Sequence, residues 1–396
     1  MVALLLFAFS ALAVAFVAVT SDGLHDWRGR PLGTDYSNVY AAGTYVLDGE
    51  PTAPFDPRRQ YAREQAIFGA HTDFFGWHYP PFFLGLAALL ALMPYALSLL
   101  VWQGVTLALY LLSIRAIVSR SAAKLDAWMW LLPALGFPGV IVCLGQGHNG
   151  FLTAALFGAA LVMLEERPIL AGVLIGLIAY KPQFGLLLPL VLAASGRWRV
   201  FAAAAATVGV LALMVTLAFG ADVWTAFLAS TKFTRIAVLE EGQTGWYKIQ
   251  SVFSWVRMWG GGVDLAYALQ AAVTLAVAAS LVWLWRGKAA FPLKAAGLLC
   301  GTLLATPYSL DYDLMLLAPA IAFLAADGLA RGFAPWEKTI LAALWIVPLV
   351  ARSVPEATLI PLAVPAMLVG FAFVLRCAIN ETGGARFWHF APRVLK

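Results

Sequence analysis

Asp35, at the start of a short helical segment, is the strongest candidate for chemistry in this 396-residue sequence. Thr34 is a residue type that favours the position before a helix, and apolar residues follow at helical spacing until Asp48 and Gly49. We expect a short amphipathic helix on a membrane surface, with Asp35 in its first turn. The helix dipole should keep the pKa of Asp35 low. That suits a general base, although a capping charge without a catalytic role is the alternative.

The composition indicates where such a helix must lie. The chain is 62% apolar and 12% charged, with a mean hydropathy of +0.82, whereas soluble domains are about half apolar and about a quarter charged. These values exclude an ordinary cytosolic enzyme, a disordered chain and a nucleic-acid-binding module. We therefore predict an all-α polytopic membrane protein with roughly 11–13 transmembrane helices. Its three cysteines lie in apolar runs and show neither a disulfide nor a zinc pattern.

The apolar segments predict one integral-membrane domain over residues 1–376, followed by a basic cytoplasmic tail at 377–396. Two long hydrophilic stretches, 21–79 and 221–262, interrupt the apolar segments. The Lys and Arg residues of the short connections place both stretches outside the cytoplasm, where we expect them to carry short amphipathic helices.

Two topologies remain open for residues 79–195. In the preferred one, 168–195 is a hairpin that is broken at Lys181-Pro182 and places Lys181 near the outer side. In the other, residues 79–118 form a plain helical hairpin and the loop at Gln146 lies inside.

Five segments in order carry a resemblance to a known family. They are TDYSNVYAAGTYVLDG around Asp35, WHYPPFFLGLAALLALMPY at 77–95, LGQGHNGFLTAAL at 144–156, GLIAYKPQFGLLLPL at 176–190 and TPYSLDYDLMLLAP at 306–319. The ordered set resembles glycosyltransferase family 87, the polyprenol-phosphate-mannose-dependent mannosyltransferases of the GT-C superfamily. The resemblance implies a GT-C-type fold and a catalytic aspartate in the first outer loop, a position that Asp35 matches.

The resemblance also implies a function. The expected activity is inverting transfer of a hexose, with mannose as the expected sugar, from a polyprenyl-phosphate donor to a cell-envelope glycan or glycolipid. Asp35 would deprotonate the incoming hydroxyl at the extracytoplasmic face of a bacterial cytoplasmic membrane. We expect no metal or other cofactor, and no nucleic-acid partner.

Candidate phosphate-binding residues carry charge or an amide within apolar or aromatic surroundings. Lys181 is the first, because an intramembrane cation is expensive without a partner, although a lysine reaching the membrane surface is the alternative. Gln183 could add an amide donor. The second outer loop contributes Lys248 and Arg235.

Candidate sugar- and acceptor-binding residues are polar or aromatic and lie at segment ends. Between two apolar segments, Gln146 and Asn149 are favoured over their neighbour His148. Polar turns, helix caps and a membrane-interface aromatic belt are the alternatives. The full set is Tyr36, Tyr40, Gln146, Asn149, Asp311, Asp313 and Gln250.

A transporter or flippase of a lipid-linked glycan, without covalent chemistry, is the competing function. Such a protein should place its ionisable residues at mid-membrane, in broken helices of two matching halves. Here they cluster in the outer loops and at outer helix ends, which favours the enzyme.

Overall fold

A computed structural model describes residues 1–120 and 125–382, and within these ranges the chain is helical and contains no β-strand. The α-helices of the described ranges are α1 (Val2–Thr20), α2 (Tyr36–Leu47), α3 (Pro57–Phe68), α4 (Leu84–Ala91), α5 (Tyr95–Val118), α6 (Ala127–Leu135), α7 (Pro138–Gln146), α8 (Gly150–Met163), α9 (Pro168–Gly176), α10 (Pro182–Gly185), α11 (Leu188–Ala194), α12 (Trp198–Phe219), α13 (Asp222–Phe233), α14 (Val252–Met258), α15 (Val263–Arg286), α16 (Phe291–Leu304), α17 (Leu317–Arg331), α18 (Glu337–Val350), α19 (Ser353–Thr358) and α20 (Ala363–Thr382). Short 3-10 segments lie at Ala53–Phe55, Pro81–Phe83, Leu177–Tyr180, Trp246–Lys248 and Asp311–Leu316, and a π-helical segment lies at Thr234–Glu240.

The all-α polytopic prediction is confirmed. Six helical segments of the described chain are long and apolar enough to cross a membrane: Val2–Thr20, Tyr95–Val118, Trp198–Phe219, Val263–Arg286, Asp311–Arg331 and Ala363–Glu381. The pair α6 and α7, bent by 51°, forms a seventh if it is one span. Further apolar segments, such as Gly150–Met163 and Phe291–Leu304, form shorter helices of 10–17 residues, so the total of 11–13 stays a prediction.

The predicted break at Lys181-Pro182 is present. A 3-10 segment ends at Tyr180, and α10 begins at Pro182. A residue that precedes proline avoids the α-helical region, and Lys181 accordingly has φ −129° and ψ 73°. The backbone of this region therefore turns at Lys181 and brings its side chain to the end of the bundle.

Small residues permit the closest helix contacts. Gly172 and Gly176 lie one turn apart on α9 and face α12, where an added Cβ on Gly172 would lie 2.5 Å from the carbonyl oxygen of Val200. Such spacing of small residues is common where membrane helices pack backbone to backbone.

Helix α2 is buried within the protein, whereas the sequence predicted an amphipathic helix on a membrane surface. An added Cβ on Gly43 would lie 2.1 Å from the carbonyl oxygen of Ala87, so α2 packs directly against α4. The sequence predicts an apolar stripe of Val39, Tyr40, Gly43, Val46 and Leu47 for the buried face, but Leu47 is 48% exposed. The helix ends at Asp48 and Gly49 as expected, and Gly49 has φ +80°.

The predicted tail begins inside α20, which continues through residues 377–382. The remainder of that tail, 383–396, lies outside the described residues, as does the connection 121–124 with Lys124.

Candidate active site

A cavity of about 960 Å³ lies where the two hydrophilic stretches meet one end of the helical bundle. Its wall is formed by the residues before α2, the segment 73–79, the α7–α8 connection, the turn at Lys181, the π-helical segment, residues 308–313 and the end of α18. The fold thus brings into one cavity segments that are separated by more than 300 positions in the sequence.

Two contacts position these segments. Gly147 has φ +65°, and an added Cβ there would lie 2.6 Å from Cβ of Tyr36, so the α7–α8 connection packs closely against the start of α2. On the other side, the backbone N–H of Gln250 donates to the carbonyl oxygen of Ser309 at 2.6 Å, next to a β-bridge between Ile249 and Leu310. The second hydrophilic stretch is therefore joined to the segment that carries Asp311.

Asp35 lines the cavity, is partly buried and immediately precedes α2. Burial raises the pKa of Asp35 from 3.8 to about 7; Asp311 adds to the rise, while Lys248, Arg352 and Lys181 oppose it. The expectation of a low pKa was wrong. The Asp35 carboxylate makes no capping hydrogen bond to the helix, and the loss of water outweighs the helix dipole.

Two cations, Lys248 and Arg352, line the same cavity as this carboxylate. A guanidinium nitrogen of Arg352 lies 3.8 Å from Oδ2 of Asp311. Lys248 lies close enough to Arg352 that burial and the neighbouring guanidinium lower the pKa of its ammonium group. The wall also carries Asp73, Asp313 and Glu356, so it combines cations with acids. A carboxylate of raised pKa in such a cavity marks a candidate catalytic group.

Lys181 is paired within the protein. Its Nζ donates to Oδ1 of Asp313 at 2.5 Å, and both side chains are almost fully buried. The other Asp313 oxygen accepts from the backbone N–H of Leu310 at 3.0 Å, which holds the carboxylate in place. The predicted intramembrane cation thus has the partner that its burial requires, and the pair contributes little net charge to the cavity.

The predicted site residues divide into two groups. Those that line the cavity are Asp35, Gln146, Lys181, Gln183, Lys248, Asp311 and Asp313. Those that the structure places elsewhere are Tyr36, Tyr40, Asn149, Gln250 and Arg235.

The second group has partners of its own. Tyr36 hydrogen-bonds to Ser98, and Tyr40 donates to the carbonyl oxygen of Met93 at 3.0 Å. Gln250 donates to the carbonyl oxygen of Ala351 at 3.0 Å.

Asn149 and Arg235 also lie outside the cavity wall. Asn149 donates to Oη of Tyr79 at 2.9 Å. Arg235 is exposed, with its Nε 3.4 Å from a carboxylate oxygen of Glu240.

Sequence reasoning missed Arg352 and set His148 aside. Arg352 separates two apolar segments, where a basic residue resembles an ordinary topology signal. His148 lines the cavity, and its ring stacks on Tyr312 with the ring planes 20° apart. His78 is a further missed residue: its Nδ1 lies 2.9 Å from Oγ1 of Thr234, which links the two hydrophilic stretches. Burial lowers the pKa of His78 to about 4.

No group of three or more His, Cys, Asp or Glu side chains in the described ranges is arranged to hold a metal ion. The expectation of a metal-free reaction stays a prediction.

The family model for glycosyltransferase family 87 matches residues 77–307, which is more than half of the chain. The match includes Gln146, Lys181 and Lys248 and begins after Asp35. No curated protein and no solved structure matches the chain.

Proposed function

The chain belongs to glycosyltransferase family 87, and from this we propose that it transfers a hexose, with mannose as the first candidate, from a polyprenyl-phosphate donor to a glycan or glycolipid of the cell envelope. The observation that carries the proposal is the cavity itself. It combines a carboxylate with a pKa of about 7 and a pair of cations, Lys248 and Arg352. Inverting sugar transfer from a phosphate needs a base on one side of the sugar and positive charge on the other.

In the proposed reaction, Asp35 is the general base. It accepts the proton of the acceptor hydroxyl while that oxygen forms a bond to the anomeric carbon. The bond between the anomeric carbon and the phosphate oxygen breaks on the opposite face, through an oxocarbenium-like transition state. One displacement of this kind inverts the configuration of the sugar. A base with a pKa near the working pH is ionised in a large fraction of molecules and still strong enough to accept the proton.

Lys248 and Arg352 stabilise the leaving group. The phosphate gains negative charge as the bond to the sugar breaks, and cations held in a partly dehydrated site lower the energy of that charge. Gln183 lines the same cavity and can donate an amide hydrogen bond. Lys181 is already paired with Asp313, so it fixes the cavity wall and adds little net charge.

Apolar side chains form a further part of the cavity wall and suit the polyprenyl chain of the donor. Ile141 and Val142 of α7 and Pro348 and Leu349 of α18 line this part. A lipid chain between these helices would leave the phosphate near Arg352, which is separated from the end of α18 by Ala351 alone.

Ion pairs at the other end of the bundle support an extracytoplasmic active site. Helix α8 begins at the cavity and runs for 14 residues, about 20 Å. Beyond its far end, Arg120 pairs with Glu166, and Arg197 pairs with Glu165. The basic residues that define the cytoplasmic side by the positive-inside rule thus lie away from the cavity. Gln146 and Lys181 lie at the cavity end, as the preferred topology expects.

The function is tested by supplying the purified full chain with a panel of polyprenyl-phosphate hexoses and cell-envelope lipid acceptors. The expected result is release of polyprenyl phosphate together with a glycosylated acceptor. Arg352→Gln and Lys248→Gln should weaken donor binding, whereas Arg235→Gln, which removes an exposed cation outside the cavity, should leave it unchanged. Donor movement across a vesicle membrane without any glycosylated product would contradict the proposal and favour a flippase.

A further inference from the structure

Phe74 is an exposed aromatic side chain in the wall of the cavity. It is 40% exposed, whereas other aromatic residues of the wall, such as Tyr79 and Tyr180, are buried. A molecule that enters the cavity can therefore contact the ring of Phe74 directly.

Two contacts hold this ring in place. It lies edge-to-face with Tyr61 of α3, with 5.6 Å between the ring centroids and 71° between the planes. Gly76 provides the second contact, because it has φ +62° and an added Cβ there would lie 3.0 Å from Cζ of Phe74. A ring that is fixed before a ligand arrives loses little conformational entropy on binding.

A buried carboxylate of α3 fastens the segment 73–76, which carries Phe74. Oε2 of Glu64 accepts from the backbone N–H of Phe75 at 3.0 Å, and its Oε1 accepts from Nε2 of Gln60 at 3.2 Å. The same nitrogen of Gln60 donates to the backbone carbonyl of Asn38 at 3.1 Å. These hydrogen bonds join the segment to α2, the helix that begins directly after the proposed base.

Glu64 also lies close to the base itself. Burial raises the pKa of Glu64 from 4.5 to about 7, and the charge of Asp35 adds to that rise. The base must contact the acceptor, because it removes the proton of the acceptor hydroxyl. A segment that is fastened beside the base is therefore placed to hold the rest of the acceptor molecule.

The residues of this segment suit a neutral molecule that is rich in hydroxyl groups. Residues 73–79 contain no Lys or Arg, so they lack the charges that favour a phosphate. Asp73 is exposed and lines the cavity next to Phe74. Its carboxylate can accept hydrogen bonds from hydroxyl groups, whereas a lipid chain lying against it would remove water from the charge at a cost.

A sugar ring combines the two kinds of surface that this segment can bind. Its faces present C–H groups, which pack on an aromatic ring, and its edge presents hydroxyl groups. We propose that Phe74 and Asp73 form the acceptor subsite, in which a sugar ring of the acceptor stacks on Phe74 and one of its hydroxyl groups donates to Asp73. The acceptor is then a hexose-containing molecule and not an alcohol without sugar. This inference rests on the proposed function and adds the chemistry of its acceptor.

The experiment measures initial rates of transfer from a polyprenyl-phosphate hexose to three acceptors: octyl hexosides, methyl hexosides and octanol. The variants are Phe74→Leu, which keeps apolar bulk without an aromatic face, Phe74→Trp, which keeps an aromatic face, and Asp73→Ala. Trp27→Leu is the matched control, because Trp27 lies in the same hydrophilic stretch, is 55% exposed and does not line the cavity.

Phe74→Leu should raise the KM for the acceptor by about 3- to 10-fold, the loss expected for one aromatic contact. The kcat and the KM for the donor should change by less than about twofold, because the ring contacts neither the donor nor the reacting atoms. Asp73→Ala should raise the acceptor KM by a similar factor, about 3- to 10-fold, for the lost hydrogen bond. Phe74→Trp should retain most of the acceptor affinity, and Trp27→Leu should change none of these values.

The two kinds of hexoside identify the source of the sugar. A lower wild-type KM for octyl hexosides than for methyl hexosides indicates a glycolipid, and equal values indicate a free glycan. In both cases the Phe74 substitutions should act alike on the two hexosides, because the sugar ring is the part that they share.

Three outcomes would overturn the inference: an unchanged acceptor KM in Phe74→Leu, a KM that rises for the donor instead, or transfer to octanol as efficient as transfer to octyl hexosides. If Phe74→Leu does not fold, Phe74→Ala and Asp73→Ala provide the same comparison. A wild type that transfers no sugar to any acceptor would contradict the proposed function itself, so the two failures are distinguishable.

Discussion

Replacing Asp35 with asparagine should abolish sugar transfer and, at the same time, stabilise the folded protein. Transfer is lost because the base is removed. The fold is stabilised because the cavity removes water from this carboxylate and raises its pKa from 3.8 to about 7. A difference of one in pKa corresponds to about 1.36 kcal/mol, so the rise corresponds to about 4 kcal/mol. Asparagine keeps the size of the side chain and has no charge to dehydrate.

The stabilisation must depend on pH in a defined direction. When the pKa of a carboxyl is raised in the folded state, its contribution to the free energy of unfolding is fully present below the unfolded pKa of 3.8, where the group is protonated in both states. That stability is lost as the pH rises toward the folded pKa of about 7. The gain from Asp35→Asn should therefore be near zero at about pH 4 and should reach its full size, of the order of 2–4 kcal/mol, by about pH 8.

The assay is thermal unfolding of the full chain in detergent across this pH range. The matched control is Asp26→Asn in the same hydrophilic stretch, because Asp26 accepts hydrogen bonds from Arg28 and Arg30 that hold its pKa below the ordinary value. This control should lower the melting temperature where Asp35→Asn raises it. A melting temperature for Asp35→Asn that is unchanged or lower than that of the wild type at pH 8 would refute the reasoning.

The remaining predictions concern the cations and the packing around the cavity. First, kcat/KM should fall as the pH drops through about 7, because Asp35 becomes protonated and can no longer act as a base. It should fall again at high pH as Lys248, whose pKa is lowered, loses its charge. A flat pH profile would contradict both expectations. Second, Lys181→Met should destabilise the fold by about 3–5 kcal/mol because it leaves a buried carboxylate unpaired, and the double variant with Asp313→Leu should recover most of that loss in a denaturation assay. Third, Gly43→Ala should lower both activity and melting temperature because its Cβ would collide with the backbone of α4, whereas Gly104→Ala, where the space is open, should change neither.

Local sequence patterns predicted local features of the fold well. A helix in this region, its end at Asp48 and the break at Lys181-Pro182 are all dictated by neighbouring residue types, so spacing was sufficient to find them. The start was wrong, because the helix begins at Tyr36 and Asp35 precedes it instead of lying in its first turn. The resemblance to the family also indicated correctly that the chain is a glycosyltransferase.

Features that depend on distant segments could not be predicted from spacing. The partner of Lys181 is Asp313, which is 132 positions away, and no local pattern links the two residues. The burial of Asp35 arises from packing with the α7–α8 connection and the segment 308–313, so its raised pKa was invisible in the sequence.

The candidate residues outside the cavity illustrate the same limit. Tyr36 and Asn149 have residue types that suit sugar binding, but neighbouring segments give their polar atoms protein partners. Arg352 and His148, by contrast, acquire their significance only from the cavity that they line. Residue type identified candidates, whereas three-dimensional packing determined which of them face the cavity.

The most direct test of the central claim measures sugar transfer by the full chain with a labelled polyprenyl-phosphate hexose and determines the anomeric configuration of the product. We predict a product inverted relative to the donor, formed by the wild type and by the control Asp48→Asn, and no detectable product with Asp35→Asn. Near-normal turnover with Asp35→Asn, or retention of configuration, would contradict the role of Asp35 as the base of a single displacement.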